Sequence, residues 1–223
     1  MTGENRLDRR KARTRAALLN AAQGFLASGR VHAPVLEITQ AANVGMGSFY
    51  NHFASREELF QAALNTALDD LGEYLDSLTG SLYDPVEKFT LCFRLAGRFF
   101  RLQPNLARVM LDAGTGLRTT ERGLAPRCLR DIEAGSAQGR FDVDDPHMAL
   151  ALVGGSLLAL GQLLIAQPGR DEASSVDRMT ADVLRGLGIP SDEARDLCSR
   201  PLPESHRAGM RELVGVHTDE HIR

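Results

Sequence analysis

Apolar side chains recur at every third or fourth position through most of this chain, the spacing that places them on one face of an α-helix. The clearest example follows Ser55, where a period near 3.6 is kept for about five turns by Phe60, Ala63, Leu64, Ala67, Leu68, Leu71, Leu75 and Leu78. The sequence contains no strand-like alternation and no internal repeat. This pattern predicts an all-α fold of about nine helices.

The first part of the chain divides into one long and two short helices. Their predicted ranges are about 8–27, 35–42 and 46–52. Gly29 ends the long helix, Pro34 stands at the first helical position of the second, and Asn43, Val44 and Gly45 form a tight break before the third. A long helix, a short helix and a second short helix after a three-residue turn predict a helix-turn-helix.

Capping signals mark the start of the later helices. Ser55 and Glu58 form a capping box before the fourth helix. The other predicted starts are Asp84-Pro85, Pro104, Thr119 or Thr120, Asp145-Pro146, and Ser174 or Ser175. After residue 190 the sequence is polar and broken by Pro201 and Pro203, which predicts a short helix and a mobile tail. The predicted organisation is a helix-turn-helix domain (1–56), a second helical domain (57–190) and a polar tail (191–223).

Charge is distributed unevenly along the chain. Residues 1–30 carry seven Arg or Lys side chains against Glu4 and Asp8, a net charge of +5, whereas the whole chain carries −3. The remaining 193 residues therefore sum to −8. A basic end on an acidic body is typical of a protein that presents that end to a polyanion, although a solvated basic arm has the same charge pattern.

Composition favours a soluble protein of a reducing compartment. The chain is 43% hydrophobic and 25% charged, which is ordinary for globular proteins. Cys92, Cys128 and Cys198 are widely spaced and match neither a disulfide framework nor a zinc site. The Arg-rich N-terminus has no apolar signal region. We therefore expect a cytoplasmic protein without a metal or cofactor.

The segment 148–166 is long and apolar enough to cross a bilayer. It is a single run, however, and three acidic residues precede it where a basic flank would be expected. It also contains Gly154, Gly155 and Gly161, which allow close helix packing. A helix that is apolar all round is also typical of one buried on both sides in an assembly. We therefore expect no membrane partner.

Three stretches near the N-terminus resemble the tetracycline-repressor (TetR) family. They are AALLNAAQGFL (16–26), ITQAANVGMGSFYNHF (38–53) and SREELF (55–60). The resemblance implies a transcription regulator, and specifically a repressor, that binds double-stranded operator DNA as a homodimer. It further implies that a small-molecule effector bound by the second domain releases the DNA.

The resemblance also implies which residues contact DNA. The implied set is Arg9, Arg10, Lys11 and Arg13 in the arm, Met46, Gly47, Ser48, Tyr50, Asn51 and His52 on the recognition helix, and Arg56 after it. Their chemistry is suitable, because hydroxyls bind phosphate oxygens and an amide such as that of Asn51 matches adenine. Phe49 and Phe53 are expected in the core. The sequence departs from the family at Ala33 and Pro34, where many relatives keep threonines that cap the second helix and contact a phosphate.

The second domain is expected to hold the effector in an apolar cavity. The candidate lining is Phe89, Cys92, Phe93, Ala96, Phe100, Met110, Leu117 and Gln162, although each of these is also compatible with an ordinary core position. The expected effector is apolar or amphipathic. Arg94, Arg98 and Arg101 lie at helical spacing and are expected to form a solvated face.

The eighth helix carries more apolar surface than the core of one monomer can use. The predicted dimer interface consists of Gly154, Leu157, Leu160, Gly161 and Leu164 of that helix with Met179 and Val183 of the ninth. Together with their copies, these helices would form a four-helix interface. The alternative is that the eighth helix is covered within its own chain.

Two other classes of function remain as alternatives. The sequence has no P-loop, GxSxG, HExxH or dinucleotide-binding turn, so an enzyme is disfavoured. The histidine pair His217 and His221 has metal-ligand spacing but lies in the polar tail. A DNA-packaging protein that senses no ligand would carry basic charge over most of its surface, whereas here the body is acidic.

Overall fold

The computed structural model describes residues 6–112 and 123–212, and every regular element in them is an α-helix. The helices are α1 Arg6–Ala27, α2 Val35–Ala41, α3 Met46–Tyr50, α4 Arg56–Thr79, α5 Pro85–Leu102, α6 Pro104–Asp112, α7 Leu124–Ala137, α8 Pro146–Ala166, α9 Glu172–Gly186, α10 Ser191–Ser199 and α11 His206–Glu212. The predicted all-α class is confirmed. The helices beyond the nine expected are α10 and α11.

Some predicted helix ends differ from the observed ones. The N-cap of α9 is Asp171, whose carboxylate accepts from the Ser174 N–H at 3.1 Å, so neither Ser174 nor Ser175 caps this helix. Pro34 is the N-cap of α2 and not its first helical residue. The start predicted for the seventh helix lies outside the described residues.

The described residues form two compact units, 6–67 and 68–212, with the division inside α4. We call them the N-terminal unit and the C-terminal unit. The N-terminal unit packs α1, α2, α3 and the first half of α4 around a small apolar core. The side chains of Leu18, Ala22, Leu26, Ile38, Phe49, Leu59 and Ala63 are fully buried, and Phe53 is 2% exposed. Phe49 and Phe53 are therefore core residues, as expected.

The start of α4 is fixed by its capping residues. The Ser55 hydroxyl accepts from the Glu58 N–H at 3.1 Å, and the Glu58 carboxylate accepts from the Ala54 N–H at 2.6 Å. Both bonds satisfy backbone donors that an uncapped helix start would leave unpaired. In a standard capping box the glutamate would accept from the N–H of Ser55 itself, whereas here Glu58 accepts from the N–H of Ala54, the preceding residue.

The C-terminal unit is built around α5, which packs against six other helices, α6 to α11. One apolar cluster includes Phe89, Phe93 and Phe141, and a second surrounds Phe100 with Leu160, Leu164 and Val176. A Cβ atom at Gly161 would lie 2.5 Å from the Phe100 ring, so this glycine lets α8 approach α5 closely.

Two arginines of α5 contradict the expectation of a solvated face. Arg94 and Arg98 are buried, and both bind Asp177 of α9, at 2.8 and 3.0 Å. Arg94 also donates to the Arg200 carbonyl at 2.7 Å. Because α9 and the segment after α10 cover this face of α5, the arginines are paired inside the fold. Arg101 is half-buried and donates to the Gln167 carbonyl at 2.9 Å.

The segment after residue 190 was predicted to form a short helix and a mobile tail, and its described part, 191–212, contains two helices that pack within the C-terminal unit. Ala194 and Leu197 of α10 join the first apolar cluster, and Met210 of α11 is fully buried. Gln103 donates its amide hydrogens toward the Met210 and Arg211 carbonyls, at 3.3 and 3.4 Å. These few apolar residues pack against α5. The polar composition of the segment as a whole gave no indication of this packing. His217 and His221 lie outside the described residues.

One described helix, α8, is long and apolar enough to cross a membrane by length and composition. Only 28% of its most apolar window is buried in the chain. Core and interface helices of soluble proteins have the same composition, so this single helix is weak evidence for a membrane span.

Candidate DNA-binding surface and ligand cavity

The turn between α2 and α3 has the geometry of a helix-turn-helix. Asn43 has φ +52°, a left-handed conformation that asparagine tolerates better than most residues. Its N–H donates to the Gln40 carbonyl at 3.0 Å, and the Val44 N–H donates to the Thr39 carbonyl at 2.9 Å. The turn thus ends α2 and starts α3 with its backbone donors satisfied.

The helix α3 divides its residues between the core and solvent. Phe49 is fully buried, and the Tyr50 ring stands edge-on to it with centroids 5.0 Å apart. Tyr50 is nevertheless 59% exposed and Met46 is 42% exposed. Gly47 and Asn51 are exposed as well. Of the predicted DNA contacts in α3 and the two residues after it, Ser48 and His52 are half-buried and the others are exposed.

A surface groove brings together residues of α1 and α3 that are distant in sequence. It is lined by Leu7, Arg10, Lys11, Ala12, Thr14, Arg15, Ser48, Asn51 and His52. Arg9 and Arg13, on the same part of α1, are exposed. The groove therefore combines two of the predicted arm cations with three polar residues at the end of α3. Cations beside hydroxyl and amide groups are the usual composition of a DNA-contacting surface.

The guanidinium of Arg56, a predicted DNA contact, is already engaged within the chain. It forms an ion pair with Glu57 at 2.6 Å and donates to the His32 carbonyl at 3.2 Å. Hydrogen bonds, first from the backbone and then from Arg56, hold the pKa of Glu57 below its ordinary value. A phosphate contact by Arg56 would therefore compete with Glu57.

Packing inside the protein does not require a glycine at position 47. A Cβ atom there would meet no atom within 4 Å, and its φ is not positive. A glycine inside a helix costs up to about 1 kcal/mol relative to alanine. Packing within this unit therefore does not explain the glycine at this position.

The C-terminal unit contains a cavity of about 70 Å³ between α4, α5, α7 and α8. Its lining is Gly72, Leu75, Asp76, Phe89, Cys92, Phe93, Ala96, Leu124, Arg127, Cys128, Asp131, Val153 and Leu157. Phe89, Cys92, Phe93 and Ala96 were predicted here. The rings of Phe89 and Phe93 are stacked at 6.1 Å, which gives the α5 wall an aromatic character.

Three other predicted lining residues are elsewhere. Phe100 and Met110 belong to the second apolar cluster, and Gln162 is exposed on α8. Phe100 was predicted to line the cavity, but its position on α5 turns its ring toward Gly161 of α8. Leu117 lies outside the described residues.

The polar side of the cavity was not predicted from the sequence. Asp76 of α4 accepts from Arg127 Nε at 3.0 Å and from Arg130 at 2.8 Å. Asp131 pairs with Lys88 at 3.1 Å and with Arg130 at 3.0 Å. No local motif marks the pairs of Asp76, because this carboxylate is on α4 and its two arginines are on α7, about 50 positions later in the chain.

Electrostatics fix the protonation of the cavity groups near neutral pH. Burial raises the pKa of Asp76, but hydrogen bonds from Arg130 and Arg127 outweigh it, so the net pKa lies below its ordinary value. Burial raises the pKa of the Cys92 and Cys128 thiols to about 12, so both stay protonated. Within the described residues, no cluster of His, Cys, Asp and Glu is suited to a metal ion.

The predicted dimer residues divide between the core and the surface of the chain. Leu160, Gly161, Leu164 and Val183 are buried within the chain's own core, so they are not available to a partner. Leu157 lines the cavity, and Gly154 and Met179 are half-buried. The residues predicted for the dimer interface therefore lie mostly on the face of α8 that α5 and α9 cover in the same chain.

Comparisons with known proteins agree with this architecture. Residues 18–63 match the family model described as "Bacterial regulatory proteins, tetR family", and residues 84–200 match "Tetracyclin repressor-like, C-terminal domain". The chain is 34% identical to the resorcinol complex of the regulator RolR, with a TM-score of 0.74, covering 88% of this chain and 98% of that one. The ligand-free RolR structure is 33% identical with a TM-score of 0.72.

More distant matches extend the comparison. The fatty acid degradation regulator FadR of Bacillus halodurans is 17% identical, with a TM-score of 0.63 over 85% of this chain and 100% of its own, which supports the fold alone. The uncharacterized HTH-type transcriptional regulator YxbF of Bacillus subtilis is 34% identical over 74 residues. That alignment covers 32% of this chain and 20% of YxbF.

The helix-turn-helix unit and the helical unit with its cavity define a transcription regulator with a DNA-binding domain and a ligand-binding domain. The second family model alone covers more than half of the chain. The chain belongs to the TetR family of regulators.

Proposed function

We propose that this protein is a cytoplasmic repressor that binds operator DNA as a homodimer and releases it when a small hydroxylated aromatic compound occupies the cavity. The observation that carries the proposal is the composition of the cavity wall. Stacked phenylalanines on α5 face carboxylates and a guanidinium on α4 and α7. An aromatic ring with hydroxyl groups satisfies both sides of such a cavity.

The effector class is further supported by RolR, whose structure contains resorcinol. In this chain the Asp76 and Asp131 carboxylates accept hydrogen bonds from hydroxyl groups, and the Arg127 guanidinium donates to hydroxyl oxygens. The ring packs against Phe89 and Phe93. Because Asp76 is held ionised at neutral pH, it is an acceptor for a phenol and repels an aromatic carboxylate. We therefore expect phenols and diols to bind more tightly than benzoates.

On the DNA side, we assign base contacts to the exposed part of α3 and phosphate contacts to α1. Tyr50 and Asn51 are exposed, and Ser48 adjoins the cations of the groove. Among the described residues, Arg10, Lys11 and Arg13 have no side-chain ion pair, so their charge is available to phosphates. Gly47 allows the start of α3 to approach the DNA backbone closely.

The homodimer uses a face of α8 that differs from the predicted one. The stripe consists of the exposed residues Met148, Ala151, Leu152 and Ala159, with half-buried Gly155 between them and exposed Gln162 at its end, and we call it the α8 stripe. Met148 is 68% exposed and Leu152 is 44% exposed. No charged side chain interrupts the stripe. A continuous apolar stripe of this kind marks an interface, and a second copy of the chain presents the same self-complementary surface.

Release of DNA follows from a two-state equilibrium. The helix α4 contributes its first half to the N-terminal unit and Asp76 to the cavity. An effector that binds better to one position of α4 shifts the population toward that position. We propose that the favoured position does not match successive major grooves, which are about 34–36 Å apart.

The first experiment measures fluorescence anisotropy of the full chain on DNA from upstream of its own gene, against scrambled DNA, with and without resorcinol. We expect preference for the upstream DNA, and release by resorcinol but not by benzoate. Tyr50→Ala removes the DNA preference, whereas Asp76→Asn keeps it and loses the response. Equal binding to both DNAs would favour a nonspecific DNA-binding protein, and DNA binding without a resorcinol response would reject the effector class.

Dimerisation is tested separately by light scattering of the purified chain. Leu152→Glu places a charge in the α8 stripe and is expected to give monomers. Tyr83→Glu is the matched control, because Tyr83 is almost fully exposed and lies outside the stripe. A monomeric wild-type protein, or a Leu152→Glu variant that stays dimeric, would contradict the assignment of this face.

A further inference from the structure

The carboxylate of Asp69 lies next to the cavity site without lining it. Asp69 is a buried residue on α4, one turn before Gly72 and two turns before Asp76. Its Oδ1 accepts from Arg127 Nη1 at 2.7 Å and from the Gly123 N–H at 3.1 Å. The Arg127 side chain lines the cavity, whereas Asp69 does not. Asp69 is therefore connected to the cavity through Arg127.

Arg127 extends along one face of α4 between two carboxylates. Its Nε donates to Asp76 at 3.0 Å, while its Nη1 donates to Asp69 and also to the Gly123 carbonyl at 2.9 Å. A Cβ atom at Gly72 would lie 2.8 Å from the Arg127 Cδ, so the side chain rests against the backbone of α4. Among the described residues, Nη2 has no hydrogen-bond partner, which leaves it for a ligand.

The same carboxylate also holds the first turn of α7. The N-cap of α7 is Gly123, which has φ +92° and no side chain to cap the helix. Asp69 supplies the missing negative charge from a different helix, where it interacts favourably with the positive end of α7. The same carboxylate therefore holds both the start of α7 and the tip of the Arg127 side chain.

We infer that Asp69 is a positioning residue for the effector site, which holds Arg127 with its guanidinium presented to the cavity and joins α4 to the start of α7. Asp76 is the exchangeable partner, since a ligand hydroxyl that binds Asp76 competes with Arg127 Nε. Asp69 is the fixed partner, since it lies outside the cavity and keeps its bond when ligand enters. The choice of resorcinol as the effector rests on the proposed function, whereas the contacts between Asp69 and Arg127 do not.

The charge state agrees with this assignment. Burial lowers the pKa of Arg127, but the hydrogen bonds that it donates to Asp69 and Asp76 outweigh this effect, and the net pKa lies above the ordinary value. Charge-assisted hydrogen bonds are about twice as strong as neutral ones. Replacing the Asp69 carboxylate by an amide removes the attraction between the two opposite charges, which weakens the bond to Arg127 while preserving an acceptor of nearly the same shape.

The first arm of the experiment observes Arg127 directly and needs no ligand. The side-chain Nε–H signal of Arg127 is recorded by NMR in the full-length protein and assigned by its loss in Arg127→Lys. We expect a sharp, slowly exchanging signal in the wild type and a broadened or rapidly exchanging one in Asp69→Asn, although the Nε partner Asp76 is intact. The control is Glu73→Gln, an exposed acidic residue of the same helix, which leaves the signal unchanged.

The second arm measures resorcinol binding by calorimetry in a double-mutant cycle. Asp69→Asn is expected to weaken binding about tenfold in the wild-type background and less than about twofold in Arg127→Lys, because Asp69 acts through Arg127. Equal effects in both backgrounds would overturn the inference, as would an unchanged Nε–H signal in the first arm. If the wild type does not bind resorcinol, the proposed effector class fails, and the NMR arm still decides the role of Asp69.

Discussion

The arginines of α1 and those of α5 and α7 show how differently the two units use the same side chain. Arg10 and Arg13 are exposed and, among the described residues, have no ion pair. Arg94 and Arg98 are buried on Asp177, and Arg127 is held between two carboxylates of α4. In the N-terminal unit the folded chain leaves cationic groups available to a partner. In the C-terminal unit folding pairs them, so they serve packing or orient the cavity.

The glycines show the same contrast. Gly47 has open space around its missing side chain, whereas a Cβ atom at Gly161 would overlap the Phe100 ring. Packing requires a glycine at position 161 but not at position 47, so Gly47 is the candidate for a functional role. The comparison predicts that substitutions in the two units separate effects on DNA affinity from effects on stability.

The largest effect on stability is expected when a buried ion pair is broken. Arg94→Ala leaves Asp177 with one arginine fewer and removes the bond to the Arg200 carbonyl, so the free energy of unfolding falls by about 2–4 kcal/mol. Arg13→Ala, the matched exposed arginine, changes it by less than about 0.5 kcal/mol. Urea unfolding followed by circular dichroism measures both. Similar values for the two variants would refute the contrast between the units.

The next effect concerns DNA affinity. We expect the triple variant Arg10→Gln, Lys11→Gln, Arg13→Gln to lower affinity for operator DNA by about 30-fold at 0.15 M salt and to reduce the slope of log affinity against log salt by about 2–3. The unfolding midpoint stays unchanged. Arg195→Gln, an exposed arginine of α10, is the control. An unaltered slope would mean that these cations do not contact phosphates.

A smaller effect is expected from adding one methyl group at a glycine. Gly161→Ala forces Phe100 to move and destabilises the protein by about 1–3 kcal/mol. Gly47→Ala stabilises it by up to about 1 kcal/mol, because alanine favours the helix, while operator affinity decreases. Thermal unfolding and anisotropy separate the two properties. Tighter DNA binding by Gly47→Ala would remove the explanation offered for this glycine.

The smallest effect concerns acid stability. The pKa of Asp76 is lower in the folded chain than its ordinary value of 3.8, so its pairing stabilises the fold fully above that value. The contribution is lost as the pH falls through the lower folded value. The stability difference between the wild type and Asp76→Asn should therefore be constant from pH 7 to about pH 5 and shrink below pH 4. A difference that grows on acidification would contradict the direction of the shift.

Much of the N-terminal unit was predictable because its signals are local. The turn at Asn43 and the caps at Ser55 and Glu58 depend on residues within a few positions of each other. The aromatic wall of the cavity was also predictable in part, since Phe89 and Phe93 share a helical face. The same reasoning placed Phe100 in the cavity, because periodicity identifies an apolar face without telling which neighbour covers it.

The polar side of the cavity and the free face of α8 were not predictable in this way. Asp69, Asp76 and Arg127 are ordinary polar residues in sequence, and they become a site because α4 and α7 pack side by side. On α8 nearly every position is apolar, so composition does not indicate which side faces α5 and which side is left exposed.

The sequence by itself determined the all-α class and the helix-turn-helix, because helix periodicity, caps and turns act over one or two turns of chain. The tertiary structure decided which arginines are paired, which face of α8 is exposed and which charges meet at the cavity. Those outcomes depend on contacts between residues separated by about 50 to 100 positions. Burial and pairing at that range follow from how the helices pack, and local periodicity carries no information about it.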